Sequence, residues 1–91
     1  MKVYIVYNYN NYEVTSVVSG VYSTLEKAEA QLLACADSMW SSEPEWFEQE
    51  WNELYEDEPQ YQNYTGYLKR CLEQAFDNYG EHPYIEEWEV E

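Results

Sequence analysis

Carboxylates are the one chemically active side chain this sequence supplies in quantity. Residues 43–58, EPEWFEQEWNELYEDE, carry eight of them and no positive charge. Carboxylates in such numbers can move protons, hold a divalent cation, or meet arginine and lysine on another molecule. Proton transfer finds no second actor. The single histidine, His82, sits beside Pro83 in a predicted turn, and the serines are accounted for as caps and strand residues. No glycine-flanked nucleophile turn occurs, and acids are so plentiful that no one pair stands out for acid–base work. Three glycines cannot build a phosphate-cradling loop, and no P-loop or dinucleotide fingerprint is present. The alternating Asp/Asn pattern of a calcium loop is missing, and two cysteines with one histidine at scattered positions make no zinc signature. The expectation is a protein that is not an enzyme and carries no cofactor or metal.

That leaves the third use. Nineteen acids face only Lys2, Lys27, Lys69 and Arg70, for a net charge of −15. Repulsion on this scale disfavours nucleic acid and anionic membranes and favours a basic protein partner. Glu87, Glu89 and Glu91 alternate along a predicted strand, where residues two apart stand about 6.6 Å from each other. Glu45, Glu48, Asn52 and Glu56 fall at helical spacing, about 5–6 Å apart, with Glu50 and Glu53 on the flanks. These separations resemble those of neighbouring phosphates, although any acidic strand or helix has them. Glu56, Asp57 and Glu58 crowd the end of the predicted helix, where the backbone dipole is negative. They break a local rule without local benefit, which makes them the strongest candidates for contact with a partner's arginines. Tyr55 and Tyr61, with Tyr9 and Tyr12, lie at element ends or in loops and are candidate aromatic anchors for that partner. A homodimer through exposed aromatics is a further possibility.

The elements that must position these residues are legible from period and punctuation. Ninety-one residues, 45% hydrophobic and 19% aromatic, make one domain (1–91) with one core. Residues 2–9 and 14–22 read as a β-hairpin turning at 10–13, with Val3, Ile5, Tyr7 and Tyr9 on one face and Tyr4 and Val6 on the other. The N-terminal stretch alternates and lacks a cleavage site, so it reads as a strand and not a signal peptide, and no apolar run approaches the roughly 20 residues of a membrane span. The expected location is the cytoplasm. Ser23 to Glu26 has the form of a capping box, followed by a helix with Leu25, Ala28, Leu32, Cys35 or Ala36, and Met39 inward. Ser42 and Glu45 suggest a second capping box, opening a helix whose inner face is Trp46, Phe47, Trp51, Leu54 and Tyr55. A third helix carries Tyr64, Tyr67, Leu68, Cys71, Leu72, Ala75, Phe76 and Tyr79 inward and stops at Gly80, with Lys69 and Arg70 toward its outer face. Residues 83–91 close the order as a strand, and Trp46, Trp51 and Trp88 are assigned to the core. The predicted fold is α+β: a small antiparallel three-stranded sheet, β-β-α-α-α-β, with helices packed on one face. Cys35 and Cys71, both on apolar helix faces, are expected as buried thiols.

The stretches VYIVYNYN, GVYSTLEKAEA and YIEEWEVE together resemble small phage and prophage proteins that open with a β-hairpin, pass through a capped helix and return on an acidic strand. Residues 41–80 match nothing in that pattern. In size and charge the chain also resembles the acidic, DNA-mimicking inhibitors that phages deploy against host nucleases, of the anti-CRISPR and anti-restriction kinds. The resemblance implies an inhibitor in the cytoplasm of a bacterial host, bound to the DNA-binding surface of a defence nuclease such as a CRISPR effector. The alternative is a phage regulatory or scaffold module that pairs with a basic protein without imitating DNA.

Overall fold

The computed structural model describes residues 1–10, 15–73 and 83–91. Residues 11–13 of the predicted 10–13 turn, Tyr12 among them, the inner-face residues Ala75, Phe76 and Tyr79, the Gly80 stop and His82 lie outside them, while Asn10 is the last residue of a strand. Alternating β-branched and aromatic residues build β1 (Lys2–Asn10) and β2 (Thr15–Tyr22), and β3 (Tyr84–Glu89) returns along the other side of β1. The antiparallel order is β2-β1-β3, which makes β1 the central strand, as its two partly apolar faces require. Val6 pairs with Gly20 on one side and Ile85 on the other, and Val6 and Ile85 are completely buried. The register of β1 with β2 shifts between Val6 and Tyr7, leaving Ser19 as an extra residue. Its hydroxyl accepts from Gln31 Nε2 at 3.0 Å and lies 3.1 Å from Cys35 Sγ, so the bulge is tied to the helix packed above it. The same bulge re-aims Val18 to pair with Tyr7 on the opposite face of the sheet.

Helix α1 (Leu25–Ser42) begins one residue later than the capping-box pattern suggests. Thr24 is the N-cap, its Oγ1 accepting from Lys27 N at 3.3 Å, which leaves Glu26 a position too early to close the box. Ala28, Leu32, Cys35 and Ala36 are buried, with Leu25 and Met39 half-buried beside them. The second predicted capping box does not form. Ser42 is still the last residue of α1 and donates back to Met39 O at 2.9 Å, while Glu43 separates the helices without a side-chain cap. Pro44, whose missing N–H is harmless in a first turn, starts α2 (residues 44–54).

Within α2, Phe47–Trp51 forms a π segment between α-helical Pro44–Trp46 and Asn52–Leu54. Bonds of the i→i+5 type lodge about one extra residue in the turn, so later side chains lag by one position. Phe47 and Trp51 are therefore buried and Tyr55 follows them inward, whereas Leu54, expected in that stripe, is 63% exposed. A short 3-10 turn (Pro59–Tyr61) leads to α3 (Asn63–Glu73), which buries Tyr67 and Cys71.

The helices stack on one face of the sheet, giving the α+β architecture the sequence predicts. Helix α1 packs on all three strands with one side and on α3 with the other, and α3 holds α2 and the 3-10 turn. Between the helices the core is aromatic. Phe47 and Trp51 each lie 4.9 Å from Tyr67 between ring centres, and Trp40 stacks on Phe47 at 5.1 Å. Full burial of one such side chain contributes about 1.5–3 kcal/mol. Trp46 is half-buried, edge-on to Phe47. Trp88 departs from expectation: Ile85, not Trp88, shares the helix-facing side of β3, and Trp88 is 52% exposed on the other side.

Both cysteines are free and buried, as their places on apolar helix faces predict. Burial pushes the Cys71 thiol from an ordinary 9.0 up to about 12, and burial raises the Tyr67 phenol beside it as well. The folded state therefore holds these protons more tightly than the unfolded chain. The contribution of Cys71 to stability is intact below pH 9.0 and is lost as pH rises toward about 12, and that of Tyr67 is intact below its ordinary 10.0 and is lost as pH rises above it. We expect stability to fall by ~1.4 kcal/mol per pH unit for each group across its window. Urea midpoints measured at rising alkaline pH check this, and Tyr67→Phe should flatten the slope.

Candidate acidic interface

Helix α2 ends at Leu54, and residues 55–62 reverse the chain into α3. Glu56, Asp57 and Glu58 occupy this reversal, at the negative end of the helix dipole. Their unfavourable position is offset because the helix-end carbonyls are satisfied from outside. Gln62 Nε2 donates to Tyr55 O at 3.0 Å and to Asn52 O at 3.4 Å. Backbone bonds Glu56 N to Glu53 O, Glu58 N to Tyr55 O and Tyr61 N to Glu58 O, of 3.0–3.3 Å, fold the turn on itself. The Trp51 indole N–H donates to Tyr61 O at 2.8 Å, and Asn52 Oδ1 accepts from Asn63 N at 2.7 Å. Asn63 itself has φ 66°, a left-handed conformation that asparagine tolerates better than most residues. Asn52, counted in the acidic row by spacing, thus acts as an internal tie.

The two flanking tyrosines are also engaged. The Arg70 guanidinium carbon lies 5.0 Å from the Tyr61 ring centre and 5.8 Å from that of Tyr55, and its Nε donates to the Tyr55 hydroxyl at 3.2 Å. Lys69 Nζ is 5.9 Å from the Tyr61 ring and 3.9 Å from Glu73. The Tyr61 hydroxyl donates to the same Glu73, a bond that raises its pKa. Tyr55 and Tyr61 are half-buried, and Arg70, expected on the outer face of its helix, is half-buried against them. Desolvation opposes its charge, but the Tyr55 hydrogen bond and neighbouring charges raise its pKa on balance.

The acids stand outside this framework. Glu45, Glu48, Glu50, Glu53, Glu56, Asp57 and Glu58 are all exposed. Among the described residues, none of Glu45, Glu48, Glu50, Glu53, Glu56 and Asp57 forms an ion pair. Glu58 differs, since its charge acts on Arg70. A shallow groove of about 460 Å³ opens at the α1–α2 junction, lined by Ser42, Glu43, Pro44, Glu45 and Trp46. It sets an indole beside carboxylates, a combination that suits the stem and charge of a lysine or arginine.

The strand acids belong elsewhere. Glu87 pairs with Lys2 Nζ at 3.6 Å and Glu89 with the Met1 amino group at 3.3 Å. They lie in the sheet layer, with α1 between the sheet and α3, which carries α2 and its turn. The nine acids singled out by sequence therefore divide into an exposed helix-and-turn group, which among the described residues meets a cation only where Glu58 acts on Arg70, and a pair of strand residues that already have cations. The ties that position the first group, Gln62, Asn63 and Arg70, gave no distinctive sequence signal. Gly66 did: a glycine within a helical pattern marks a close approach, and here a Cβ would lie 2.2–2.6 Å from the Tyr61 backbone.

Among the described residues no cluster of His, Cys, Asp and Glu is placed to hold a metal, and no helix is long and apolar enough to cross a membrane. Fold and site together define an α+β domain with an acidic helix-and-turn surface held by internal hydrogen bonds. No protein-family model, curated protein or solved structure matches the chain.

Proposed function

We propose that this protein is an inhibitor that binds the basic DNA-binding surface of a host defence nuclease, a CRISPR effector first among the candidates. Its carboxylates would take the place of DNA phosphates. The observation that carries this reading is the group Glu45, Glu48, Glu50, Glu53, Glu56 and Asp57: exposed, without ion pairs among the described residues, and carried by helix α2 and the turn after it, which is fastened from several sides. An array held in place by its own scaffold loses little freedom on binding, which favours affinity. A duplex-binding channel presents arginines and lysines at phosphate positions, and a preformed row of carboxylates meets them without reorganisation. Net charge steers the encounter and makes it sensitive to salt.

The test is competition. On a basic nuclease the protein and duplex DNA should exclude each other, and binding should weaken steeply as salt rises. Replacing Glu56, Asp57 and Glu58 together with lysine should weaken binding by about 100-fold, because like charges then face the partner's cations. Binding indifferent to salt and to this charge reversal would sink the proposal. A partner that holds DNA and this protein at once would instead mark a module that engages a basic protein without imitating DNA.

A further inference from the structure

The sheet has a second face, turned away from the helices. Pairing register places Val21, Ile5 and Glu86 in one row across it, Val18, Tyr7 and Tyr84 in the next, and Val3 beside Trp88. Val18, Val21 and Trp88 are 53%, 58% and 52% exposed, with Val3, Ile5 and Tyr7 half-buried between them, whereas Tyr84, stacked on Tyr7, is buried, so the open part of the face is the end that carries Val21 and Trp88 together with Val18. The Ser19 bulge contributes directly, since it is what turns Val18 onto this face. A single charged residue, Glu86, lies among these, and its Oε2 accepts from the Trp88 indole N–H at 2.9 Å. Strand β2 contains no charged residue at all. On a molecule of net charge −15, this is a mostly apolar surface whose one charge among the described residues is the Glu86 carboxylate.

We propose that this face packs on the same face of a second copy of the chain, about a two-fold axis parallel to the strands. Charge selects the occupant. Contact through the helix-and-turn side would set acids against acids, and among the described residues a basic partner would find only Glu86 to pair with on this one. A second copy brings a surface equally apolar and equally low in charge. Charge also selects the axis. A two-fold parallel to the strands lays β1 over β1 and β2 over β3 of the other copy. The two Glu86 carboxylates then sit at opposite rims, each in the row of Val21 of the partner subunit, with Trp88 one row beyond it. Three strands about 4.8 Å apart offer less than the roughly 800 Å² per partner of a standard interface. The dimer is therefore weak, forms with rising concentration, and leaves both acidic surfaces pointing outward. It is independent of the nuclease reading.

Sedimentation equilibrium of the full chain from micromolar to millimolar concentration tests this. Association should tighten at least about tenfold between low salt and about 1 M salt, where the Debye length is about 3 Å. It should vanish in a Val18→Glu, Val21→Glu double variant. Should that variant fail to fold, Val18→Thr with Val21→Thr keeps the shape and should weaken the dimer. Trp88 emission, taken as the difference between the protein and Trp88→Phe, should shift to the blue as dimer forms. A monomer at every concentration in high salt would overturn the proposal, as would a dimer insensitive to the valine variants. An edge-to-edge dimer that leaves Trp88 in water, or protection of Val18 and Val21 amides only when a basic protein is added, would overturn it equally.

Discussion

Trp51→Ala is expected to destabilise the protein by about 3–5 kcal/mol, against a total of about 5–15 kcal/mol for a domain of ordinary stability. Trp51 is 1% exposed and lies in ring contact with Phe47, Tyr55 and Tyr67. Alanine would leave a cavity among side chains that cannot collapse far, because Tyr67 is fixed against both α1 and α2. It would also strand the Tyr61 carbonyl that now accepts the indole N–H at 2.8 Å. Trp51→Phe separates the two effects: it keeps most of the packing and loses the hydrogen bond, at about 1–3 kcal/mol. Urea unfolding of both variants measures the difference. If the tie to Tyr61 holds the acidic turn, Trp51→Phe should weaken partner binding more than its modest loss of stability would suggest.

Gly66→Ala is the second expected large effect, and its sign is the informative part. Helix propensity alone favours alanine over glycine within a helix by about 1 kcal/mol. The structure reverses the expectation. A Cβ at this position would lie 2.2 Å from the Tyr61 carbonyl carbon and 2.5 Å from its oxygen, and both belong to backbone that cannot swing aside. Helix α3 and the Pro59–Tyr61 turn would have to part, losing the Arg70–Tyr61 contact if the helix withdraws and the Trp51–Tyr61 bond as well if the turn moves. A net loss of about 1–3 kcal/mol or more follows from such overpacking, and thermal unfolding checks it. A stabilised Gly66→Ala variant would show that the turn is not pressed against α3.

Much of the architecture was legible because period and punctuation determine it. The alternation of residues 2–9 and 14–22 identified the hairpin, and the 3.6-residue stripe from Leu25 to Met39 identified the helix above it. Sequence and structure part where two local signals compete or where an interior position depends on a neighbour. Ser23 and Thr24 are both good caps, and backbone geometry chose Thr24. Ser42 looks like a cap but continues α1. Leu54 sits in the right place for a regular helix and the wrong place after a π segment, which sequence periodicity cannot reveal. Trp88 is of a type that favours the core, yet β-strand alternation allows only one set to face the helices, and Ile85 occupies it.

The acidic surface shows the same division. Composition alone established that residues 43–58 are acidic and uncompensated, and that the carboxylates would face solvent, since charges are costly to bury. It could not separate Glu87 and Glu89, which meet Lys2 and the N-terminus across the sheet, from Glu56 and Asp57, which meet no cation among the described residues. That distinction depends on strand order, which brings β3 beside the start of β1. Nor could sequence show why three acids at a helix end are tolerated, because Gln62, Asn52 and Arg70 act across a chain reversal. Short-range periodicity and charge count are properties of the chain as written. Which carboxylate finds a cation, and which carbonyl finds a donor, is decided only when distant segments are brought within hydrogen-bonding range.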